Sequence, residues 1–334
     1  MKIAVLGAGS WGTTLALHAA RTGSDEVRLW EFRPDAVRIM EQDRENKEFL
    51  PGHVFPESLR VTDDIEWAVA DVDVCLSVVP THAVRETLKR ILQGLSERCI
   101  FVSATKGIEQ VTLMRVSEIV MDVWQDEFSL ERFVCLTGPS HAEEVSIGLP
   151  TTVVTASVNL KNAKFVQELL STERFRIYSI NDLIGAELGG SLKNVIAVAA
   201  GIGDGLGFGD NVKGALLTRG SAEMSRLGVK LGGRQETFAG LTGIGDLITT
   251  CCSRHSRNRY LGEQIGKGRK LKDILAEMHM VAEGVRTTES TWALAQREQI
   301  EMPITEQVYR ILFEDADPLQ ATTELMTRKL KVED

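Results

Sequence analysis

KIAVLGAGSWGTTLALHAART, residues 2–22, is the stretch that decides the fold. Lys2 to Leu6 is a short apolar run with strand character, and a helical pattern follows the glycines to about Thr22. Between them stands Gly7-Ala8-Gly9-Ser10-Trp11-Gly12, a G-x-G-x-x-G motif. Strand, glycine turn and helix in that order suit a dinucleotide. Gly7, Gly9 and Gly12 permit a tight turn and the close approach of a pyrophosphate, which rests on the helix N-terminus. The hexapeptide alone also describes a glycine turn packed for structural reasons only. The expectation of an α/β Rossmann-like dinucleotide-binding domain therefore rests on the motif's context.

Outward from this unit, Glu26 to Glu31 reads as a second strand closing in VRLWE. An acidic residue at that strand end takes the ribose hydroxyls of NAD, whereas a nearby arginine takes the extra phosphate of NADP. Glu31, Phe32 and Arg33 offer both chemistries, with Phe32 suited to stack on adenine, so the preference stays open. Val72 to Val79 is a continuous apolar run fit for the centre of a parallel sheet. It stops at Pro80, and Thr81 has the character of a helix N-cap. Cys99 to Ala104 is the next strand and ends in Thr105-Lys106-Gly107. Ligands of open α/β sheets bind outside the carboxyl ends of strands, so Lys106 is either a ligand-facing cation or an ordinary loop lysine. Phe133 to Thr137 runs into Gly138-Pro139-Ser140-His141-Ala142-Glu143-Glu144, where Ser140 and Glu143 have capping-box spacing. Thr151 to Ala156 and Phe175 to Ser179 add strands with a helix between them.

Beyond Asn181-Asp182 only helical periodicity and glycine-rich turns occur. This places a nucleotide-binding domain at 1–182 and an all-α domain at 183–334. The first helix of the second half is apolar along Leu188, Leu192, Val195 and Ala199, and Lys193 lies beside that face. Gly189 and Ala197 flank the lysine along its own row. Small neighbours let a backbone or a ligand approach the ammonium; the other reading is a lysine whose stem snorkels over apolar surface. Three spots stand out further on. Five glycines between Gly201 and Asn211 predict that the helix breaks there. Gly240-Leu241-Thr242-Gly243-Ile244-Gly245-Asp246 predicts a carboxylate after a flexible turn. Ser253-Arg254-His255-Ser256-Arg257-Asn258-Arg259 mixes three arginines with hydroxyl and amide groups, either a phosphate site or a solvated basic turn.

The totals bound the function. A length of 334 residues suggests two domains, and 43% hydrophobic with 25% charged residues is ordinary for a soluble globular protein. The net charge of -9 argues against a general binder of nucleic acid or anionic membrane, so an anionic substrate needs a local cluster of cations. No apolar run approaches a bilayer span, and the chain enters its first strand at once, so neither an integral membrane association nor a leader is expected. The histidines show no metal-ligand spacing, and no metal is expected. Cys75, Cys99 and Cys135 sit in strand-like runs, adjacent Cys251 and Cys252 pair poorly, and there is no CxxC, which fits a reducing cytoplasm.

Seven segments together carry a resemblance: GAGSWGT at 7–13, ATKGIE at 104–109, GPSHAEE at 138–144, LGGSLKNVIAVAAGIGDGLGFGDNVKGALLTRG at 188–220, GLTGIGDLITTC at 240–251, SRNRYLG at 256–262 and VAEGVRT at 281–287. Over essentially its whole length the chain resembles the NAD(P)-dependent glycerol-3-phosphate dehydrogenases of the bacterial type. The resemblance implies reversible NAD(P)H-dependent reduction of dihydroxyacetone phosphate to sn-glycerol 3-phosphate, the backbone of phospholipids. It also implies a C-terminal domain like that of 6-phosphogluconate dehydrogenase. It makes Lys193 the proton-transfer residue, with Lys106 and Asp246 beside it in catalysis. Lys106, Gly138, Ser140, Lys193, Asp246, Ser256, Arg257 and Asn258 match substrate positions, and Asn194 and Thr250 fall where related enzymes also hold substrate. Ser10, Trp11, Phe32, Arg33, Lys106, Ala142, Arg257, Val281 and Glu283 match cofactor positions, alongside Gly7, Gly9 and Gly12. The chain departs from the pattern at Glu31–Arg33, where many bacterial relatives are basic and Phe32 resembles the NAD-specific eukaryotic enzymes. Two alternatives remain at this point: a related β-hydroxyacid dehydrogenase with no need for phosphate, and a non-catalytic NAD(P)-binding sensor. Broad apolar faces in the helical half suggest a homodimer.

Overall fold

The computed structural model describes residues 1–278, 282–330 and 332. The first half alternates strand and helix. In order come β1 (Lys2–Leu6), α1 (Ser10–Arg21), β2 (Glu26–Trp30), α2 (Pro34–Asp43), β3 (Leu59–Thr62), α3 (Ile65–Val69), β4 (Val74–Ser77) and α4 (Thr81–Ile91). Then follow β5 (Ile100–Ser103), α5 (Val116–Trp124), β6 (Phe133–Thr137), α6 (Ala142–Ser146), β7 (Thr151–Ala156), α7 (Leu160–Leu170) and β8 (Phe175–Ile180). Among the described residues these strands make one sheet in the order β3-β2-β1-β4-β5-β6-β7-β8. β1 to β6 run parallel, and β7 and β8 run opposite to them. The strand order reverses between β1 and β4, which opens a crevice at their carboxyl ends. The inner strands β1, β4 and β6 are buried almost throughout because helices cover both faces, whereas the edge strands β3 and β8 alternate buried and exposed residues. Ile3 and Val5 pack with Leu15 of α1, while Ala4 and Leu6 pack with Val84 and Leu88 of α4.

Two capping expectations are corrected. Pro80 holds the extended cap position, and Thr81 is the first helical residue of α4. The Ser140–Glu143 capping box does not form: His141 is the N-cap of the short α6. The chain has already turned at Gly138 (φ +131°), so the Ser140 hydroxyl folds back and donates to the Gly138 carbonyl at 3.0 Å.

The second half is helical: α8 (Leu183–Gly205), α9 (Asp210–Lys230), α10 (Gln235–Phe238), a π-helical turn at Leu241–Gly245, α11 (Asp246–Cys252), α12 (Arg257–Gly266), α13 (Leu271–Glu277), α14 (Glu283–Glu298), α15 (Pro303–Phe313) and α16 (Pro318–Met326). α8 is its axis. Asp182 caps it, accepting from the amides of Gly185 at 2.9 Å and Arg234 at 2.8 Å. By length and composition α8 is apolar enough to cross a membrane, yet 89% of its most apolar window lies inside the protein, as befits a core helix.

The helix breaks within the glycine-rich stretch as expected, but late: α8 runs on through Gly201 and Gly203 to Gly205, and α9 begins at Asp210. A Cβ on Gly201 would sit 1.9 Å from the Arg259 carbonyl oxygen, and one on Gly205 2.3 Å from that of Glu263. From the other side, a Cβ on Gly262 would sit 2.1 Å from the Val198 oxygen, and one on Gly266 2.3 Å from that of Ile202. α8 and α12 therefore meet backbone to backbone, and this packing outweighs a helical penalty of roughly 1 kcal/mol per glycine. The expected flexible turn before Asp246 is likewise helical. Thr242 packs its carbonyl where a Gly189 side chain would begin, 2.6 Å away. That contact sets Asp246 at the start of α11, facing α8.

Candidate active site

A cleft of about 790 Å³ runs from the β1–β4 crevice to the faces of α8, α11 and α12. At one end lies the glycine motif. Gly7 takes φ +103°, and a Cβ on Gly12 would lie 1.8 Å from the Gly7 oxygen, so the turn closes on itself. The space around Gly9 is open, and α1 carries no acidic residue in its first turn. A helix N-terminus with that much room beside it fits a pyrophosphate. Ser10 and Trp11 line this part of the cleft. The Ser10 hydroxyl donates to the Phe49 carbonyl at 2.8 Å. Glu31, Phe32 and Arg33 follow at the end of β2, with Phe32 68% exposed and available to a planar base. Ala142 and Glu283 line the cleft from the opposite side. Glu283 Oε1 accepts from the Thr81 amide at 3.3 Å, its Oε2 is buried without a partner, and burial raises its carboxyl above the ordinary value. Val281 lies outside the described residues.

The other end is a buried charge cluster. Lys193 is 5% exposed and Asp246 2% exposed. Lys193 Nζ donates to Asp246 Oδ1 at 2.7 Å and to Thr250 Oγ1 at 2.6 Å. Lys106 Nζ donates to Asp246 Oδ2 at 2.9 Å and to the Gly138 carbonyl at 3.0 Å. One carboxylate thus holds two ammonium groups, one from each half of the chain. Burial lowers the Lys193 ammonium; Asp246 opposes that and Lys106 adds to it, leaving the group at about 8. Burial raises the Asp246 carboxyl, but Lys106 and Lys193 more than reverse this and hold it below the ordinary value. The snorkelling alternative for Lys193 therefore fails: its head is the buried part.

Next to this cluster α12 begins. Ser256 is its N-cap, accepting from the Arg259 amide at 3.2 Å. Arg257 lines the cleft and makes no hydrogen bond or ion pair among the described residues. Arg259 turns away to Asp204 at 2.7 Å, so the basic run contributes one free guanidinium to the cleft and a helix N-terminus behind it. Asn258 donates to Asn194 Oδ1 at 3.0 Å and accepts from the Gly284 amide at 2.9 Å, tying α8, α12 and α14 together. Ser140 also lines the cleft, whereas Gly138 stands behind it as the acceptor for Lys106.

Sequence reasoning missed two parts of this wall. His141 and His255 bring their rings to 6.0 Å of each other beside the cluster. Burial, reinforced by Lys193, lowers His141 below the ordinary value. The second part is the segment around Asn46 to Phe49, which carries no periodicity and no motif.

Comparison with known proteins now bears on this cleft. Family models described as NAD-dependent glycerol-3-phosphate dehydrogenase N-terminus and C-terminus match residues 2–163 and 182–323. A glycerol-3-phosphate dehydrogenase (NAD(P)+) of Chlorobium phaeobacteroides strain BS1 is 52% identical over 333 residues, covering 100% of this chain and 99% of that protein. One of Citrifermentans bemidjiense is 50% identical, covering 99% and 98%. The crystal structure of glycerol-3-phosphate dehydrogenase from Coxiella burnetii superposes with a TM-score of 0.93 at 42% identity, covering 98% of this chain and 99% of that one.

Proposed function

The chain belongs to the NAD-dependent glycerol-3-phosphate dehydrogenase family and is an NAD(P)-linked oxidoreductase that interconverts dihydroxyacetone phosphate and sn-glycerol 3-phosphate; on that premise we propose how its residues divide the work. Gly7, Gly9, Ser10, Trp11 and Gly12 hold the pyrophosphate, Phe32 and Arg33 the adenosine, and Ala142 and Glu283 the part nearer the reacting centre. The bound nicotinamide supplies or accepts the hydride. Arg257, with Ser256, Asn258 and the α12 N-terminus, anchors the substrate phosphate. Ser140 and Asn194 position the three-carbon chain. Lys193 protonates the carbonyl oxygen during reduction and takes the hydroxyl proton during oxidation. Lys106 stabilises the developing negative charge on that oxygen. Asp246 and Thr250 aim the Lys193 ammonium.

The observation that carries this reading is the shared grip of Asp246 on Lys193 and Lys106. The test is loss of nicotinamide absorbance with dihydroxyacetone phosphate, run with NADH and with NADPH. Turnover supports the assignment; a folded protein that binds cofactor and turns over with neither sinks it. The reading extends to a division of the chain at residue 182, a homodimer formed through the helical half, and a reducing cytoplasm in which the product feeds phospholipid synthesis. Exposed Val212 and Val229 on α9 support the dimer, the unpaired cysteines the reducing compartment, and the change from strands to helices after Ile180 the division.

Two results follow. In oxidation the working form of Lys193 is the neutral amine, so kcat/KM rises with pH and levels off above about 8. In reduction the working form is the ammonium, so kcat/KM is full below about 8 and falls about tenfold per pH unit above it. Profiles without an inflection near there in either direction would remove Lys193 from the proton transfer. Arg257→Ala raises KM for dihydroxyacetone phosphate by about 100-fold, the scale of a lost charge-assisted fork, with a smaller change in kcat. Dihydroxyacetone, which lacks the phosphate, should lose little kcat/KM in the same variant; an equal loss for both ketones would refute the anchoring role.

A further inference from the structure

We propose that Glu48, acting with Glu31, makes this chain select NADH over NADPH by occupying the Arg33 guanidinium that a 2′-phosphate would need. The inference rests on the dehydrogenase reading above and concerns the adenosine end of the cleft.

The geometry is a closed clamp. Arg33 Nε donates to Glu31 Oε1 at 2.9 Å, and the Arg33 amide donates to the same oxygen at 3.3 Å. The two terminal nitrogens of Arg33 donate one each to the two oxygens of Glu48, both at 3.0 Å. This is the planar, bidentate arrangement in which arginine otherwise grips phosphate. The guanidinium also lies over Phe49, 5.4 Å from the ring centroid.

The Glu48 side chain is half exposed, but its backbone is held in place. Its segment is tied to the nucleotide turn on both sides. Buried Asn46 donates to the Ala8 carbonyl at 2.7 Å and to Thr13 Oγ1 at 2.8 Å, and accepts from the Phe49 amide at 3.2 Å. The Phe49 carbonyl accepts from the Ser10 hydroxyl at 2.8 Å. The pyrophosphate turn and the Arg33 clamp are thus one bonded unit.

The local charge then decides the ligand. Glu31, Glu48 and Glu86 line this end of the cleft against Arg33 and Arg90, and Arg90 lies over the Trp30 ring at 5.4 Å. Glu86 is paired with Lys89 at 2.6 Å, so the balance is set by Glu31 and Glu48, two carboxylates on the one Arg33 guanidinium before any ligand arrives. A 2′-phosphate must either break the Arg33–Glu48 fork or stand beside uncompensated carboxylates, and like charges at such range repel by an amount worth about a tenfold change in binding or more. A 2′-hydroxyl needs neither. It requires an acceptor, and Glu31 Oε2 makes no hydrogen bond among the described residues while Glu31 lines the cleft.

The test is equilibrium titration of the full chain with NADH and with NADPH, followed by quenching of the fluorescence of Trp11 and Trp30, which line the cleft. The wild type should bind NADH at least about tenfold more tightly. Glu48→Gln frees one fork of Arg33, and the ratio of the two dissociation constants should move toward NADPH by about tenfold. The wild-type salt response needs no variant. Between about 0.02 and 0.3 M salt, screening should narrow the gap, because the penalty on NADPH is a repulsion. A 2′-phosphate held by a free Arg33 would widen it. Equal or tighter binding of NADPH by the wild type, a gap that widens with salt, or an unmoved ratio in a Glu48→Gln protein with normal melting would each overturn the proposal. Binding of neither cofactor would overturn it together with the dehydrogenase reading.

Discussion

Lys193→Met is expected to lower kcat in both directions by about 1000-fold, within the range that a positioned acid or base contributes, while NADH affinity stays within about threefold. Methionine fills nearly the same volume, so the loss is not a cavity effect. Lys193 meets no part of the pyrophosphate turn, and its bonds go to Asp246 and Thr250. Cofactor binding should therefore survive, and the binding titration checks it. Stability gives an independent readout with a definite sign. The group sits at about 8 in the folded chain and near its ordinary 10.5 when unfolded, so between those values the unfolded chain binds more protons. Wild-type stability should rise with pH across that window, and Lys193→Met should lose the slope. A variant that keeps more than about a tenth of wild-type turnover, well outside the range for a lost acid or base, would show that another group moves the proton.

Much of this site could be read from the sequence, for a physical reason. The glycine turn, Lys106 and Arg257 are local features: each stands at the end of a strand or the start of a helix, where chain direction alone aims a group at the crevice. Lys193 could be flagged but not resolved, because whether a lysine beside an apolar face snorkels or stays buried depends on what packs over it. Here that is Asp246, 53 residues away, and no periodicity reports it. The glycines from 201 announced the break in the helix but not its place, for the same reason. Propensity counts each as a break, whereas α12 turns them into a contact surface. β3 was missed because it is four residues long and follows an irregular segment. Glu48 was missed with it: its role comes from the bonds of Asn46 and Phe49 to the glycine turn, which only the folded chain brings together.

Asp246→Asn should be the most damaging single change to the fold of the active centre. The carboxylate is 2% exposed and stands between two ammonium groups, at 2.7 Å from one and 2.9 Å from the other. Asparagine keeps the shape and one acceptor oxygen but removes the only charge placed between them by these contacts. Breaking a buried ion pair by removing one partner costs about 3–5 kcal/mol, which lowers Tm by roughly 10 °C. The carboxyl is held below its ordinary value in the folded chain, so its contribution is full above about pH 4 and is lost as pH falls further. The gap between wild type and variant should shrink over that same acid range. The chemistry should move as well. Asp246 opposes the burial that lowers Lys193, so without it the ammonium gives up its proton more easily and Lys106 repels it unchecked. The fall in reduction and the rise in oxidation should both shift to lower pH, beyond a drop in kcat. A role confined to packing would lower Tm and leave both profiles where they were. Unchanged melting together with unshifted profiles would mean that Asp246 does not hold the two lysines in solution, and the proposed division of labour would fall with it.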